Sequence, residues 1–472
     1  MSNVILLEMG TLETRVALLE DGVLSELYIE QVGKEREVGN IYNGKVVNIL
    51  KGMDAAFIDI GLSKNAYLYL KESGLSPSDI KVGQKLLVQV VKEPIGDKGP
   101  KVSTEIALPG KYLVLMPFSN GVSISRRIES PEERERLKKI VEDIKSGDFG
   151  VIIRTACEGV EREEIEEDIK YLLELWDNIQ KTSLHMSAPR LIYRDLDIIG
   201  RVVRDLFNSR IDRIIVNNGE AYESILRFLA REKNHDSFKD RIQIREEDFD
   251  EYGVEAKVNK LLQRKVWLKS GGYIIIDETE ALTVIDVNTG KFTGKVNLMD
   301  TALITNMEAA REIARQIRLR DLGGIILVDF IDMNDENAKN KVMEELKDAL
   351  KKDRTKTVVM GFTNLGLVEI TRKRIGRRLS SFLERECPVC HGKGKIVSHE
   401  YMVSMLERRI ERIAKHTEKN SIAVECSKYF YDYLIEENKG VIEKLKDKYK
   451  RDIKIIKNDS LKVSEIIVKP IF

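Results

Sequence analysis

Two apolar runs that end in carboxylates constrain this chain most. Ala281–Ile285 leads into Asp286, Val287 and Asn288, and Gly323–Val328 leads into Asp329, Phe330, Ile331 and Asp332. Short β-branched runs bounded by glycine read as buried strands. A helical pattern from about Leu298 to Arg320 lies between them. A strand–helix–strand unit places both strands side by side in one sheet. Asp286 and Asp329 then sit at neighbouring strand ends, with Asn288 just beyond the first. Two carboxylates and an amide at one sheet edge can hold a hard cation such as Mg²⁺, which takes few carboxylates and keeps waters for substrate phosphate. Strand-end aspartates also cap turns, so the pattern alone leaves both readings open.

A chain of 472 residues predicts roughly three domains with ample core. Lys+Arg and Asp+Glu balance at 78 each, so any anion binding must come from local patches rather than net charge. The charge is uneven: Glu158 to Asp168 is acidic, and Arg372 to Arg378 carries five basic residues. Four cysteines argue against a disulfide scaffold and fit a reducing cytoplasm. No apolar run is long enough to span a bilayer, and no secretion signal opens the chain, so a cytoplasmic protein without a membrane span is expected.

Residues 1–35 read as three strands, too few for a domain, so their partners are expected later in the chain. The α/β pattern of 191–262 can supply them, which makes the intervening segment an insertion. Residues 36–107 show short strands punctuated by Gly44, Gly52, Gly61 and Gly83, the rhythm of a small closed β-barrel such as an OB-fold. Phe57 and Tyr67 on successive strands form either a stacking platform for bases or part of the core. The Gly/Pro loop Lys92–Lys101 carries three lysines, Lys98 among them, that can track phosphate or simply be solvated. Arg154-Thr155 ends the strand Val151–Ile153. Charge plus hydroxyl can grip a phosphate there, although exposed Arg and Thr are common. Arg311, Arg315 and Arg318 recur on one face of the Leu298–Arg320 helix, either paired with glutamates or forming a basic rail for a nucleic-acid backbone.

Cys387 and Cys390 lie two residues apart in a glycine-bearing knuckle that suits Zn²⁺. Tetrahedral Zn²⁺ needs four ligands. Either one or both of His391 and His399 complete the site, or a second chain contributes its own cysteine pair. Residues 400–472 read as a small α/β domain.

The strings Gly271–Asn288 and Ala314–Met333, the Cys-Pro-Val-Cys knuckle, Met116-Pro with Ile124–Arg127, and Ile153–Thr155 together resemble the bacterial ribonuclease E/G family. The resemblance covers essentially the whole chain. It leans to the ribonuclease G type, because the chain lacks the long scaffolding tail of the ribonuclease E type. It implies an α/β multidomain architecture: 1–35 plus 194–262 ribonuclease-H-like, interrupted by an OB-fold (36–107) and a 5′-sensor (108–193), then a DNase-I-like catalytic domain (263–383), a zinc link (384–398) and a small domain (399–472). It implies Mg²⁺ on Asp286 and Asp329, oriented by Asn288, and Zn²⁺ shared by Cys387 and Cys390 of two subunits. It implies RNA contacts at Phe57, Tyr67 and Lys98, and a 5′-monophosphate held by Arg154 and Thr155. Tyr67 is usually Phe in the family, so a stacking face is kept and a hydroxyl added.

The implied activity is endonucleolytic hydrolysis of single-stranded, AU-rich RNA to 5′-phosphate and 3′-hydroxyl ends, in rRNA processing and mRNA decay. The implied assembly is a homodimer through the zinc link, or a tetramer. The five histidines are scattered and none joins the aspartate motifs, which argues against 2′-hydroxyl attack by a His pair. The competing readings are a non-catalytic RNA-binding scaffold of the same fold, and a nuclease acting on DNA.

Overall fold

A computed structural model describes residues 3–33, 36–94, 98–207, 211–229, 239–245, 249–290, 298–374, 378–390, 392–438 and 440–471. The chain divides into two compact units, Met1–Leu383 and Glu384–Phe472. Among the described residues, no helix is long and apolar enough to cross a membrane.

The strands Asn3–Met9, Glu13–Glu20 and Val23–Gln31 form an antiparallel meander. Its second turn uses Asp21 and Gly22, both at positive φ, as a two-residue hairpin with right-handed strand twist requires. Asn3–Met9 finds its other neighbour far along the chain, running parallel to Arg213–Val216, which in turn pairs with Ile242–Ile244. The three opening strands thus join a five-stranded sheet. Helices Ile198–Leu206 and Gly219–Leu229 bury Val202, Leu206, Ala221 and Ile225 against one face of that sheet. Asp197 starts the first helix by accepting the Gly200 N–H.

Inserted between these halves, Ile41–Leu50, Ala55–Asp59, Ala66–Tyr69, Lys101–Ser103 and Lys85–Lys92 pair in that order, and the last closes back on the first. The barrel has five strands. Lys101–Ser103 is only three residues long, too short to display alternation, and follows directly on the Gly/Pro loop. Gly44 is needed inside: a Cβ there would lie 2.3 Å from Ile58 Cγ2. Next come the strands Leu108–Pro109, Leu113–Met116, Gly121–Ile124 and Gly150–Ile153, packed under helices Pro131–Ile144 and Arg162–His185. The second helix runs for 24 residues to His185. Ile165, Ile169, Leu172 and Ile179 keep its buried stripe continuous.

The last sheet of the first unit has six strands, ordered Lys265–Trp267, Tyr273–Glu278, Leu282–Asn288, Gly324–Asp329, Val368–Arg372 and Thr357–Phe362. Leu282–Asn288 and Gly324–Asp329 are parallel neighbours joined by helix Leu298–Leu319, as the strand–helix–strand pattern predicts. Ile274, Ile276, Ile285, Val287, Ile326, Val328, Val368 and Ile370 bury one face under that helix and Glu336–Leu350. The opposite side chains, Asp286 and Asp329 among them, point to the open face.

The arginines of the long helix do not form a free rail. Arg311 pairs with Glu345 at 2.7 Å, Arg315 with Glu312 at 2.6 Å, and Arg318 with Glu26 of the first sheet at 2.8 Å. Carboxylates within reach consume the charge that spacing alone left open. A second buried pair anchors the Val368–Arg372 strand. Arg372 Nε donates to Asp353 at 2.7 Å, and Asp353 also accepts from the Thr355 N–H and the Thr357 hydroxyl at 3.0 Å.

In the second unit, Ser421–Cys426 lies between Asp452–Lys457 (parallel) and Ile466–Ile471 (antiparallel). Helix His399–His416 packs Met402, Leu406 and Ile410 into its core, and Lys428–Asp432 continues as a π turn through Glu437.

Removing one member of a buried pair leaves the other charge uncompensated. Arg372→Met is therefore expected to destabilise the first unit by about 3–5 kcal/mol, against less than about 1 kcal/mol for the exposed Arg311→Ala. Urea denaturation of both variants checks the contrast.

Candidate active site

Asp286 and Asp329 are cross-strand partners in the parallel pair. Both are exposed on the open face, while Ile285, Val287 and Val328 beside them are buried. Asn288, two residues on and so on the same face, donates its Nδ2–H to Asp286 Oδ2 at 2.8 Å. Behind Asp329 the chain is fixed from below: the fully buried Asn306 donates to the Ile331 carbonyl at 2.8 Å and accepts the Ile331 N–H at 3.0 Å. The Asp329 carboxyl is held above the ordinary carboxylate range, first by desolvation and then by the charges of Asp286 and Asp332. Among the described residues no three His, Cys, Asp or Glu side chains gather as a metal cluster. What the sheet assembles is a carboxylate pair with an amide.

The barrel presents the aromatic residues outward. Phe57 and Tyr67 are opposite each other on paired strands, with ring centroids 6.2 Å apart and planes at 70°. Their neighbours Ala56, Ile58, Ala66 and Leu68 fill the interior, so the half-exposed rings belong to the surface rather than the core. Lys98 is exposed. A Cβ on Gly99 would lie 2.0 Å from the Asn65 carbonyl oxygen, and the Pro100 carbonyl accepts the Tyr67 N–H at 2.8 Å. These close approaches tie the lysine loop to the Tyr67 strand.

Arg154 and Thr155 are adjacent in sequence but do not make one grip. The Arg154 guanidinium donates to Asp205 at 2.6 Å and to the Gly110 carbonyl. Its partner is a carboxylate of helix Ile198–Leu206, about fifty positions away, and not the acidic run after Glu158. Neighbouring guanidinium groups hold the Asp205 carboxyl down at about 2 against its burial. Thr155 is exposed, its hydroxyl 3.0 Å from that of Ser125. That pair sets the Gly121–Arg127 segment facing Thr155.

In the second unit, Cys387 is exposed and Cys390 half-buried. The Cys387 thiol is lowered by the backbone N–H groups of Cys390 and Val389 and by the Cys390 side chain. His399 packs between Tyr429 and Tyr433, with ring centroids 4.5 and 4.1 Å away, and its buried Nε2 has no hydrogen-bond partner. His391 lies outside the described residues.

Sequence reasoning passed over two residues of the open face, Trp267 and Tyr273. The signal available was a tryptophan alternating with the core-facing Val266 on a strand too short to recognise.

If Asp286 and Asp329 repel each other, the Asp286→Asn change should lower the Asp329 pKa, leaving the part due to desolvation. The raised value means that ionised Asp329 costs the folded state stability at neutral pH, a cost relieved on acidification. Carboxyl-detected NMR titration without divalent cations measures it; an unmoved Asp329 would show the two charges to be uncoupled.

Comparison with known proteins gives the chain its relatives. The model of the "Ribonuclease E/G family" matches residues 107–375, and that of "RNase E/G, Thioredoxin-like domain" matches 386–471. Ribonuclease G of Escherichia coli (strain K12) is 44% identical over 419 residues, covering 85% of this chain and 86% of that protein. Ribonuclease G of Haemophilus influenzae is 40% identical over 452 residues, 91% of each chain. Ribonuclease E of Synechocystis sp. is 40% identical over 385 residues, 77% of this chain but 56% of that longer protein. With more than half of its length under one family model and such identity across most of its length, the chain belongs to the ribonuclease E/G family.

Proposed function

We propose that this endoribonuclease hydrolyses single-stranded, AU-rich RNA with Mg²⁺, leaving 5′-phosphate and 3′-hydroxyl ends, and acts on rRNA precursors and mRNA in the cytoplasm. The observation that carries this reading is Asp286 set opposite Asp329 on adjacent parallel strands, with Asn288 bonded to the first. Asp286 and Asp329 would hold the ion. Mg²⁺ keeps most of its octahedral shell for water and phosphate oxygens, so a carboxylate pair fits it better than a dense acidic cage would. The charge of Asp286, which with desolvation holds the Asp329 carboxyl up, is what a cation would offset. When bound, Mg²⁺ supplies Lewis-acid stabilisation of phosphate charge and makes water a better nucleophile.

The chain's own side chains do the positioning. Asn288 fixes the orientation of the Asp286 carboxylate, and Asn306 holds the backbone that follows Asp329. Phe57 and Tyr67 stack bases, and Lys98 neutralises phosphate beside them. Water oxygen bonds to phosphorus as the P–O3′ bond breaks, which leaves the phosphate on the downstream fragment. The barrel order, first–second–third–fifth–fourth and back to the first, supports reading 36–107 as an OB-fold. We read the five-stranded sheet (1–35 plus 194–262) as the ribonuclease-H-like part, 108–193 as the 5′-sensor and 263–383 as the DNase-I-like domain. A 5′-monophosphate engages the Thr155 and Ser125 hydroxyls and competes with Asp205 for Arg154.

One experiment tests the chemistry and the end preference together. Oligonucleotides differing only in a 5′-monophosphate, hydroxyl or triphosphate are cleaved with Mg²⁺ and with EDTA, beside a DNA of equal sequence. The expected result is Mg²⁺-dependent cleavage of RNA alone, fastest for the monophosphate by roughly ten- to a hundredfold, the worth of one charge-assisted contact. Asp329→Asn is expected to abolish cleavage with RNA affinity nearly intact; near wild-type cleavage would remove the metal assignment, and wild-type binding without cleavage would make the chain a scaffold.

The zinc site rests on Cys387 and Cys390 (384–398, the zinc link), two of the four ligands tetrahedral Zn²⁺ takes, and a second chain's pair supplies the other two in a homodimer from which a tetramer can be built. Metal analysis is expected to give one zinc per two chains, and Cys387→Ser a monomer; one zinc per chain would show the site to be closed within a subunit.

A further inference from the structure

The open face of the catalytic sheet carries an aromatic pair in line with the carboxylate site. Trp267, Tyr273 and Asn288 are directly opposite one another across three neighbouring antiparallel strands. Ile275, Asp286 and Asp329 form the adjoining row on the same face. At the usual strand spacing, Trp267 and Asn288 are about 10 Å apart. The Trp267 and Tyr273 rings meet edge to face with centroids 5.4 Å apart, and Lys265 Nζ stands 4.0 and 3.6 Å from them. Trp267 is 59% exposed, while Val266 between it and Lys265 packs on the core. Tyr273 is pinned: a Cβ on Gly290, just past Asn288, would lie 3.2 Å from its ring and 2.5 Å from the Gly271 carbonyl oxygen. The hairpin and the strand end that carries Asn288 are therefore in close contact.

We propose that Trp267 and Tyr273, with Lys265, form a base-stacking subsite for single-stranded RNA within a few nucleotides of the scissile phosphate. This rests on the reading of Asp286 and Asp329 as the site of RNA hydrolysis. An exposed indole beside a phenol offers a π surface that any base can stack on, and such stacking tolerates sequence variation. The Lys265 ammonium, held over both rings, supplies the charge a phosphate needs next to a stacked base. The sheet fixes the rings by backbone pairing rather than by loop packing, so the platform is preorganised on the catalytic scaffold. It is separate from the barrel aromatics Phe57 and Tyr67, so a strand lying across the sheet is held on the catalytic domain itself.

Two measurements decide it. The first uses fluorescence. The chain has two tryptophans, so Trp176→Phe with Asp329→Asn leaves Trp267 as the sole reporter in a non-cleaving protein. Titration with a single-stranded oligoribonucleotide is expected to quench its emission; saturable binding seen by anisotropy without any change in emission would overturn the subsite. The second is an abasic scan. Substrates with one base removed at each position around the cut are cleaved by wild-type, Trp267→Ala and Trp267→Phe proteins. Wild type is expected to show one sensitive position, with KM raised roughly five- to a hundredfold for a lost stacked base. Trp267→Ala should show that rise on the intact substrate and no further loss at that position, and Trp267→Phe should restore the wild-type profile. Identical scans for wild type and Trp267→Ala would overturn the proposal. So would a change in oligomeric state that leaves the scan untouched, which would mark the face as a protein interface. Absence of any cleavage by wild type would instead count against the hydrolytic reading, and Trp267 quenching would still decide the subsite.

Discussion

Two like charges held side by side on neighbouring strands are the constraint on which this structure turns. Parallel pairing of Leu282–Asn288 with Gly324–Asp329 sets Asp286 against Asp329. Desolvation first, and then the charges of Asp286 and Asp332, hold the Asp329 carboxyl above its ordinary range. A fold tolerates such repulsion only where other interactions outweigh it. Here the compensation comes from the opposite face, where Ile285, Val287, Ile326 and Val328 are buried under two helices. Period-two alternation makes the two faces inseparable: the register that buries the apolar set is the register that aligns the carboxylates.

The same sheet is tied into the rest of the first unit by charged groups rather than by apolar contact alone. Arg318 reaches Glu26 of the first sheet, with both side chains 8% exposed. Arg127 donates to the Asp353 carbonyl, and Asp353 holds Arg372 of the catalytic sheet. Arg154 meets Asp205 across the segments that carry them. Partly desolvated pairs of this kind add little net stability, but they are costly to break singly and so restrict how the segments fit together. A lone arginine in the sequence therefore says little about ligand binding. Four of the basic positions that invited a phosphate or nucleic-acid reading, Arg154, Arg311, Arg315 and Arg318, have carboxylate partners in the folded chain.

Aromatic residues divide along another line. Phe57 and Tyr67 were noticed because they fall on successive strands of a recognisable rhythm, though their direction was undecided. Closure of the barrel decided it, since Ala56, Ile58, Ala66 and Leu68 occupy the interior and leave the rings outside. Trp267 and Tyr273 gave no comparable signal. Lys265–Trp267 is a three-residue strand, and its importance comes from lying across Tyr273 from Asn288, a relation visible only in the sheet.

The sequence by itself determined the elements whose cause is local. Apolar runs ending in Asp286 and Asp329, the helical period between them, the Pro131–Ile144 helix with its early proline, and the Asp21-Gly22 turn all follow from nearest-neighbour chemistry. The spacing of Cys387 and Cys390 is equally local. Tertiary structure decided whatever depends on partners far along the chain: the union of residues 3–31 with 213–216 and 242–244, the three-residue strand that closes the barrel, and the pairing of Arg154 with Asp205. It also placed the His399 ring between Tyr429 and Tyr433. The physical reason is the same in each case. Periodicity and turn chemistry act over a few residues, whereas strand register, side-chain direction and charge pairing are settled only when distant segments are brought within bonding distance.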